Sequence, residues 1–260
     1  MKSHDSLLAG AVEAALKAGA VIRKHFTRPL QVREKGKLGL VTNADFEAER
    51  VALGVLKKYA PDFGLLTEET NAKGVLKPGQ KGMWIVDPLD GTTNFVHRFP
   101  MFCVTVAAMV GQEVVVGVTY HPILEELYTA VKGRGAFING KRMRVSKSTK
   151  IKDALLSTGF AYHKQNALSD EMTSFEKVSR VARAVRRPGS AALDLAYTAR
   201  GVFDGFWESH LAPWDTAAGS LLVSEAGGKV TNFEGKAFDV RGSSIVASNG
   251  KLHAQILRKL

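Results

Sequence analysis

The sequence predicts a mixed α/β fold, and three observations carry that expectation. Apolar residues recur at helical spacing in some segments and as short continuous runs in others, and the two kinds of segment alternate along the chain. Several strand-like runs follow one another between residues 100 and 145 with no helix between them, which favours antiparallel pairing over a purely parallel, doubly wound sheet. The 260 residues, 45% of them hydrophobic, suffice for a substantial core. No internal repeat, low-complexity linker or compositional break divides them, so residues 1–260 are expected to form a single domain.

In chain order, residues 5–26 carry Leu8, Val12, Leu16, Ala20 and Ile22 at spacings that predict an amphipathic helix. Residues 30–34 and 38–42 read as a short hairpin. Asn43 or Asp45 opens a second helix that runs to about Tyr59 and is stopped by Pro61. Strands are expected at 63–66, 83–87, 102–110, 113–120 and 124–131, with Gly111-Gln112 as a tight turn. Asn139-Gly140 is the strongest hairpin signal, joining 136–138 to 141–145. A strand near 154–158, helices near 166–183 and 190–201, a strand near 204–208, a helix at 215–227, a strand at 244–248 and a helix at 251–259 complete the pattern.

Composition narrows the functional classes. No run approaches the roughly 18 apolar residues of a membrane span, and the N-terminus, with Asp5 and Glu13, lacks a signal-peptide core, so a soluble cytoplasmic protein is expected. The single cysteine, Cys103, lies in an apolar run and reads as a small core residue. The formal net charge is +11, with basic residues crowded at 132–152 and 180–187. Such runs are usually solvated faces; they also suit anionic substrates or RNA, although no stacking aromatics interleave with them. Gly135 to Lys141 mimics a phosphate-binding loop, but Arg142 stands where that motif needs Ser or Thr.

The most informative stretch is Trp84-Ile-Val-Asp87-Pro88-Leu89-Asp90-Gly91-Thr92-Thr93-Asn94-Phe95. An apolar run ends in two carboxylates around a proline, followed by glycine and hydroxyls. Fully extended, three residues separate two Cα atoms by roughly 10 Å, so a turn at Pro88 is expected to bring the acids together. Hard oxygen ligands next to accessible backbone N–H groups suit a divalent cation and a phosphate, whereas Asp-Gly alone is more often a turn. Two further acidic clusters strengthen the metal reading. Glu68-Glu69 follow the apolar run 63–66, and alternation predicts that only one of the pair faces a given site. Asp215, after Pro213-Trp214, opens a small-residue helix, where an acid is by default a cap.

Taken together, these motifs resemble the inositol monophosphatase family over nearly the whole chain. Asp87 to Phe95 matches that family's first signature; Trp214-Asp215-Thr216-Ala217-Ala218-Gly219, running on to Glu225-Ala226-Gly227-Gly228, matches its second. Glu68-Glu69 and Val41-Thr42-Asn43-Ala44-Asp45 fall where the family places its other acids. One departure is Thr67, where the family often has glycine; it affects loop conformation more than chemistry.

The resemblance implies a layered αβαβα sandwich of the inositol monophosphatase and fructose-1,6-bisphosphatase type, and Mg²⁺-dependent hydrolysis of inositol monophosphate by a metal-activated water. It implies two or three Mg²⁺ ions held by Glu68, Asp87, the Leu89 carbonyl, Asp90 and Asp215. Thr92 is expected to orient the attacking water and Asp45 to polarise Thr92, with helix capping as the alternative role for Asp45. Gly91, Thr92 and Thr93 would receive the phosphate. Gly189, Ser190, Ala191 and Glu208, together with Asp90 and Asp215, would contact the substrate, with Asp194 as a further candidate; the alternative roles are an ordinary cap for Ser190 and an exposed helix charge for Asp194. Lithium sensitivity and a homodimer are implied in the same way. Alternatives are a related phosphate ester, such as fructose-1,6-bisphosphate, a nucleotide 3′-phosphate or histidinol phosphate, or an added RNA-binding or transcription-accessory role.

Overall fold

A computed structural model describes residues 3–35, 39–74, 80–161 and 165–260, the side chains of 165–167 excepted. Its first helix, α1 (His4–Phe26), is followed by the antiparallel pair β1 (Val32–Lys35) and β2 (Gly39–Thr42) and by α2 (Asn43–Tyr59). Next come β3 (Phe63–Thr67), β4 (Gly82–Asp90), the short helix α3 (Thr92–Val96), β5 (Cys103–Val110), β6 (Glu113–His121), β7 (Glu126–Val131), β8 (Gly135–Ile138) and β9 (Lys141–Arg142). The remainder comprises β10 (Leu155–Thr158), α4 (Gln165–Ser179), β11 (Ala184–Arg186), α5 (Ala191–Arg200), β12 (Gly205–Ser209), α6 (Pro213–Glu225), β13 (Lys229–Thr231), β14 (Ser244–Ser248) and α7 (His253–Leu257).

Strands β3 to β9 form a seven-stranded sheet in sequential order, antiparallel after the parallel β3–β4 pair, as the run of adjacent strands predicted. A second sheet, in the order β11-β10-β12-β14-β13, has five strands. Side-chain alternation along the strands creates the layers. On β4, Trp84 and Val86 pack with α1 and α2, while Met83 and Ile85 pack against Ala217 and Ala218 of α6. In the second sheet, Phe206, Ile245 and Ala247 face α5 and α6, whereas Trp207 and Val246 face Val178 of α4 and Ile256 of α7. Helices α1/α2, the large sheet, α5/α6, the small sheet and α4/α7 therefore stack as αβαβα.

The periodicity placed the buried face of α1 slightly wrong. Leu16 is exposed, and the fully buried stripe is Leu7, Ala11, Ala14, Ala15, Ala18 and Ile22. Small residues win because the neighbours come very close: a Cβ at Gly10 would stand 2.7 Å from Tyr59 Cγ, and one at Gly19 would stand 2.5 Å from Tyr120 Cδ1. The helix expected over 166–183 ends at Ser179, and the short strands β11 and β13 were not anticipated. Three-residue edge strands are too short to leave a period in the sequence.

The chain also does not turn at Pro88. Strand β4 runs through the proline to Asp90, and the register shifts between Asp87↔Thr105 and Asp90↔Cys103. Three residues of β4 thus span two of β5, which is a β-bulge. In a regular strand, residues three apart face opposite sides of the sheet. The extra residue brings Asp87 and Asp90 onto the same side, because their partners Thr105 and Cys103, two residues apart on β5, already share one. The missing proline N–H makes this the favourable place for the ladder to break.

Candidate active site

Asp87 continues the Met83–Ile85 alternation and therefore points toward α6, whose first turn carries Asp215. One carboxylate oxygen from each of Asp87, Asp90 and Asp215 lies within 4.8 Å of the others. Asp87 is fully buried, and its Oδ1 accepts the Leu89 N–H at 2.9 Å. Asp215 does two jobs: its Oδ2 accepts from Ala212 N at 2.7 Å, capping α6, while the carboxylate joins the trio.

Asp90 is held from behind. Its Oδ2 accepts from Ser190 Oγ at 2.6 Å and from Ala192 N at 2.8 Å, and Cys103 Sγ lies 3.9 Å away. Ser190 caps α5 and the first-turn N–H of Ala192 is spent on a carboxylate of the protein itself. The sequence left Ser190 as either a substrate contact or an ordinary cap; in the structure it is the cap, and its hydroxyl also donates to Asp90. Gly189, at φ +89°, is fixed from the other side: Asn94 Nδ2 donates to Met101 O at 2.7 Å and Pro188 O at 2.8 Å, tying α3 to the turn before α5.

Burial and mutual repulsion make these acids reluctant to ionise. Burial, then Glu68, Asp90 and Asp215, push Asp87 well above the carboxylate range. Burial, then Asp90 and Glu68, do the same to Asp215. Burial raises Asp90 to about 6 against the opposing hydrogen bonds from Ser190 and Ala192. A cluster of hard oxygen donors that repel one another fits a small divalent cation, which supplies the charge that the acids lack.

Asp45 spends one oxygen on capping α2 and turns the other toward Thr92. Oδ2 closes the α2 capping box through Thr42 N at 2.8 Å and Thr42 Oγ1 at 2.6 Å, and Oδ1 is 3.2 Å from Thr92 Oγ1. Thr92 Oγ1 also lies 3.0 Å from the Leu89 carbonyl. Burial raises Asp45 to about 6. Gly91 precedes α3 at φ +96°, and a Cβ there would meet Met101 O at 2.8 Å, so glycine is required both for conformation and for space. The first-turn N–H groups of α3, at Thr92 and Thr93, have no intrahelical acceptor.

Glu68 stands near the trio electrostatically but is not part of it. Strand β3 ends at Thr67, so Glu68 and Glu69 lie in a turn and do not diverge as alternation predicted. Both converge on Lys35, whose Nζ is 3.0 Å from Glu68 Oε1 and 2.9 Å from Glu69 Oε2. Buried Glu49 anchors this turn by accepting from Glu69 N at 3.0 Å and from Thr70 Oγ1. The sequence contained the signal for Glu49: it follows Asp45 by four residues on the Ala44–Ala48–Ala52 face of α2, an acid among core alanines.

On the far side, Glu208, next to last in β12, has its carboxylate over Gly159, where a Cβ would stand 2.2 Å from both oxygens. Any side chain at 159 would displace Glu208. Asp194, on the first turn of α5, is buried, and burial followed by Glu208 and Asp90 raises it well above the usual range.

A profile of the inositol monophosphatase family matches residues 3–260. An inositol-1-monophosphatase of Caulobacter vibrioides is 43% identical over 96% of this chain and 98% of its own length. The protein called Nus factor SuhB in Escherichia coli is 40% identical over 96% of this chain and 94% of its own. A solved inositol monophosphatase from Anabaena (Nostoc) sp. PCC 7120 superposes with a TM-score of 0.89 at 36% identity, covering 98% of this chain and 95% of that one. The αβαβα sandwich is thus the fold of solved inositol monophosphatases, and the relatives place the chain among phosphatases. Within them, this chain belongs to the inositol monophosphatase family.

Proposed function

We propose that residues 1–260 act as one unit, a Mg²⁺-dependent phosphomonoesterase that releases phosphate from inositol monophosphate. The observation that carries this reading is the convergence of Asp87, Asp90 and Asp215 beside the first turn of α3. Asp87, Asp90, Asp215, Glu68 and the Leu89 carbonyl are the residues assigned to hold two or three Mg²⁺ ions. When bound, such ions supply the positive charge that makes water a better nucleophile and steadies the leaving oxygen.

The chain's own groups do the rest. Asp45, ionised above about pH 6, accepts the Thr92 hydroxyl proton. The lone pairs of Thr92 Oγ are then free to accept a hydrogen from the attacking water and fix its direction. The backbone N–H groups of Gly91, Thr92 and Thr93 receive the phosphate oxygens. Ser190 and Ala192 fix Asp90, and Gly189, Ala191 and Glu208 border the space left for the polyol, whose hydroxyls donate to Glu208. Asp194, buried on the first turn of α5 near the charge of Glu208, is the further candidate to accept from a polyol hydroxyl.

Thr92→Ala is expected to lower kcat by about 10²-fold with little change in KM, and Thr92→Ser to retain most of it. Equal losses in both variants would exclude the hydroxyl as the orienting group. Phosphate release from myo-inositol 1-phosphate, fructose-1,6-bisphosphate, a nucleotide 3′-phosphate and histidinol phosphate, each with Mg²⁺ and with or without Li⁺, tests the function itself. No Mg²⁺-dependent release from any of them would refute it. Inhibition by Li⁺, a homodimer and a cytoplasmic setting belong to the same proposal; among the described residues no helix is long and apolar enough to cross a membrane.

A second reading is favoured by the +11 charge together with the 40% identity to a protein called a Nus factor: an added RNA-binding or transcription-accessory role. Filter binding of labelled RNA over a salt series tests it. The reading requires retention at low salt that falls steeply as salt rises.

A further inference from the structure

Lys35 lies at the end of β1, and its ammonium is surrounded by acceptors from a single turn: Glu68 Oε1 at 3.0 Å, Glu69 Oε2 at 2.9 Å and the Glu68 carbonyl at 3.5 Å. An ammonium has three hydrogens to donate, and each has an acceptor here. The Lys35 side chain keeps 38% of its exposure and Glu68 23%, whereas Glu69 keeps 2%. Of the two carboxylates, that of Glu68 is therefore accessible and that of Glu69 is buried. Glu68 is also the carboxylate whose charge acts on Asp87, Asp90 and Asp215 from outside the trio.

We propose that Lys35 is the resident counter-ion of this acidic site, and that a divalent cation bound among the carboxylates must displace it from Glu68. This inference rests on the metal-dependent reading above and adds to it a determinant of cation affinity. Two cations a few ångströms apart cannot both draw fully on one carboxylate, so the ammonium and the metal compete for Glu68. Glu69 gives the displaced ammonium a place to stay, because its buried carboxylate needs a partner whether or not a metal is bound. Lys35 thus shifts away from one oxygen rather than leaving the turn. It steadies the metal-free protein and weakens metal binding by the same interaction.

The test is direct cation binding, read by the free Mn²⁺ signal in electron paramagnetic resonance or by calorimetry with Mg²⁺. Lys35→Gln and Lys35→Met are compared with the charge-retaining Lys35→Arg. Both neutral variants are expected to bind Mn²⁺ about two- to fivefold more tightly than wild type, and to melt at a lower temperature in chelator. Their melting deficit should shrink in saturating Mn²⁺, and Lys35→Arg should behave as wild type. Wild-type binding with neutral variants that bind equally or more weakly overturns the role of Lys35 alone. Absence of Mn²⁺ binding by the wild type instead overturns the metal-dependent reading, and this inference with it.

Discussion

Asp90→Asn is expected to reduce Mg²⁺-dependent phosphate release by about 100-fold or more while leaving the fold intact. Partners that merely orient a metal ligand are worth 10- to 100-fold, so loss of a ligand should reach or exceed the upper end of that range. The fold should survive because asparagine can still offer an oxygen to Ser190 Oγ and Ala192 N, the donors that fix the side chain. Removing a charge from a set of mutually repelling acids should leave the melting temperature of the metal-free protein equal or higher. Circular dichroism melts in chelator, beside a phosphate-release assay, separate the two effects. Retained turnover with Mg²⁺ would remove Asp90 from the site. Lost turnover with a collapsed melt would make it a structural acid.

Metal removal is the second large effect. At 100 times its dissociation constant, a ligand that binds only the native state adds about 2.7 kcal/mol. For a chain of this size that corresponds to a rise in melting temperature of about 5–10 °C. The pH dependence has a definite sign. Asp45 and Asp90 are raised to about 6 from 3.8, and Glu69 to about 7 from 4.5, mainly by burial. Between roughly pH 4 and 7 the folded metal-free protein therefore holds more protons than the unfolded chain, and stability falls as pH rises through that window. Protonation of surface groups on a protein of +11 charge acts in the opposite direction. The isolating comparison is with Asp90→Asn: its stability should fall less between pH 5 and 8 than that of wild type, both measured in chelator. Identical pH slopes would show that Asp90 is not an acid with a raised pKa. Saturating Mg²⁺ should make the wild-type curve nearly flat above pH 6.

Much of the fold was legible because most elements end at residues whose local chemistry forces an end. Thr42 caps α2, Gly111 and Asn139-Gly140 turn between strands, and Pro213 stands at the first position of α6. The antiparallel order of β5 to β8 follows from short connections that leave no room for a crossover. What failed depended on distant neighbours. The buried face of α1 is lined by alanine and glycine because Tyr59 and Tyr120 press against it, and no periodic pattern of large apolar residues records that. The turn at Pro88 was a sound local inference, overruled because pairing with β5 continues past the proline. The divergence expected of Glu68 and Glu69 assumed strand geometry at both residues, whereas β3 ends at Thr67 and both lie in a turn.

By itself, the sequence determined which acids and hydroxyls this protein possesses, their order, and which strands and helices lie beside them, because those depend on residues adjacent in the chain. The tertiary structure alone decided how the acids meet. The bulge opposite β5 turns Asp90 to the side of Asp87, packing of α6 on that face brings in Asp215, and the β1–β2 ribbon delivers Lys35 to Glu68. Convergence of charges that repel one another cannot come from local preference. It is imposed by the burial of apolar surface between α6 and the sheet, which holds the acids in place against their repulsion.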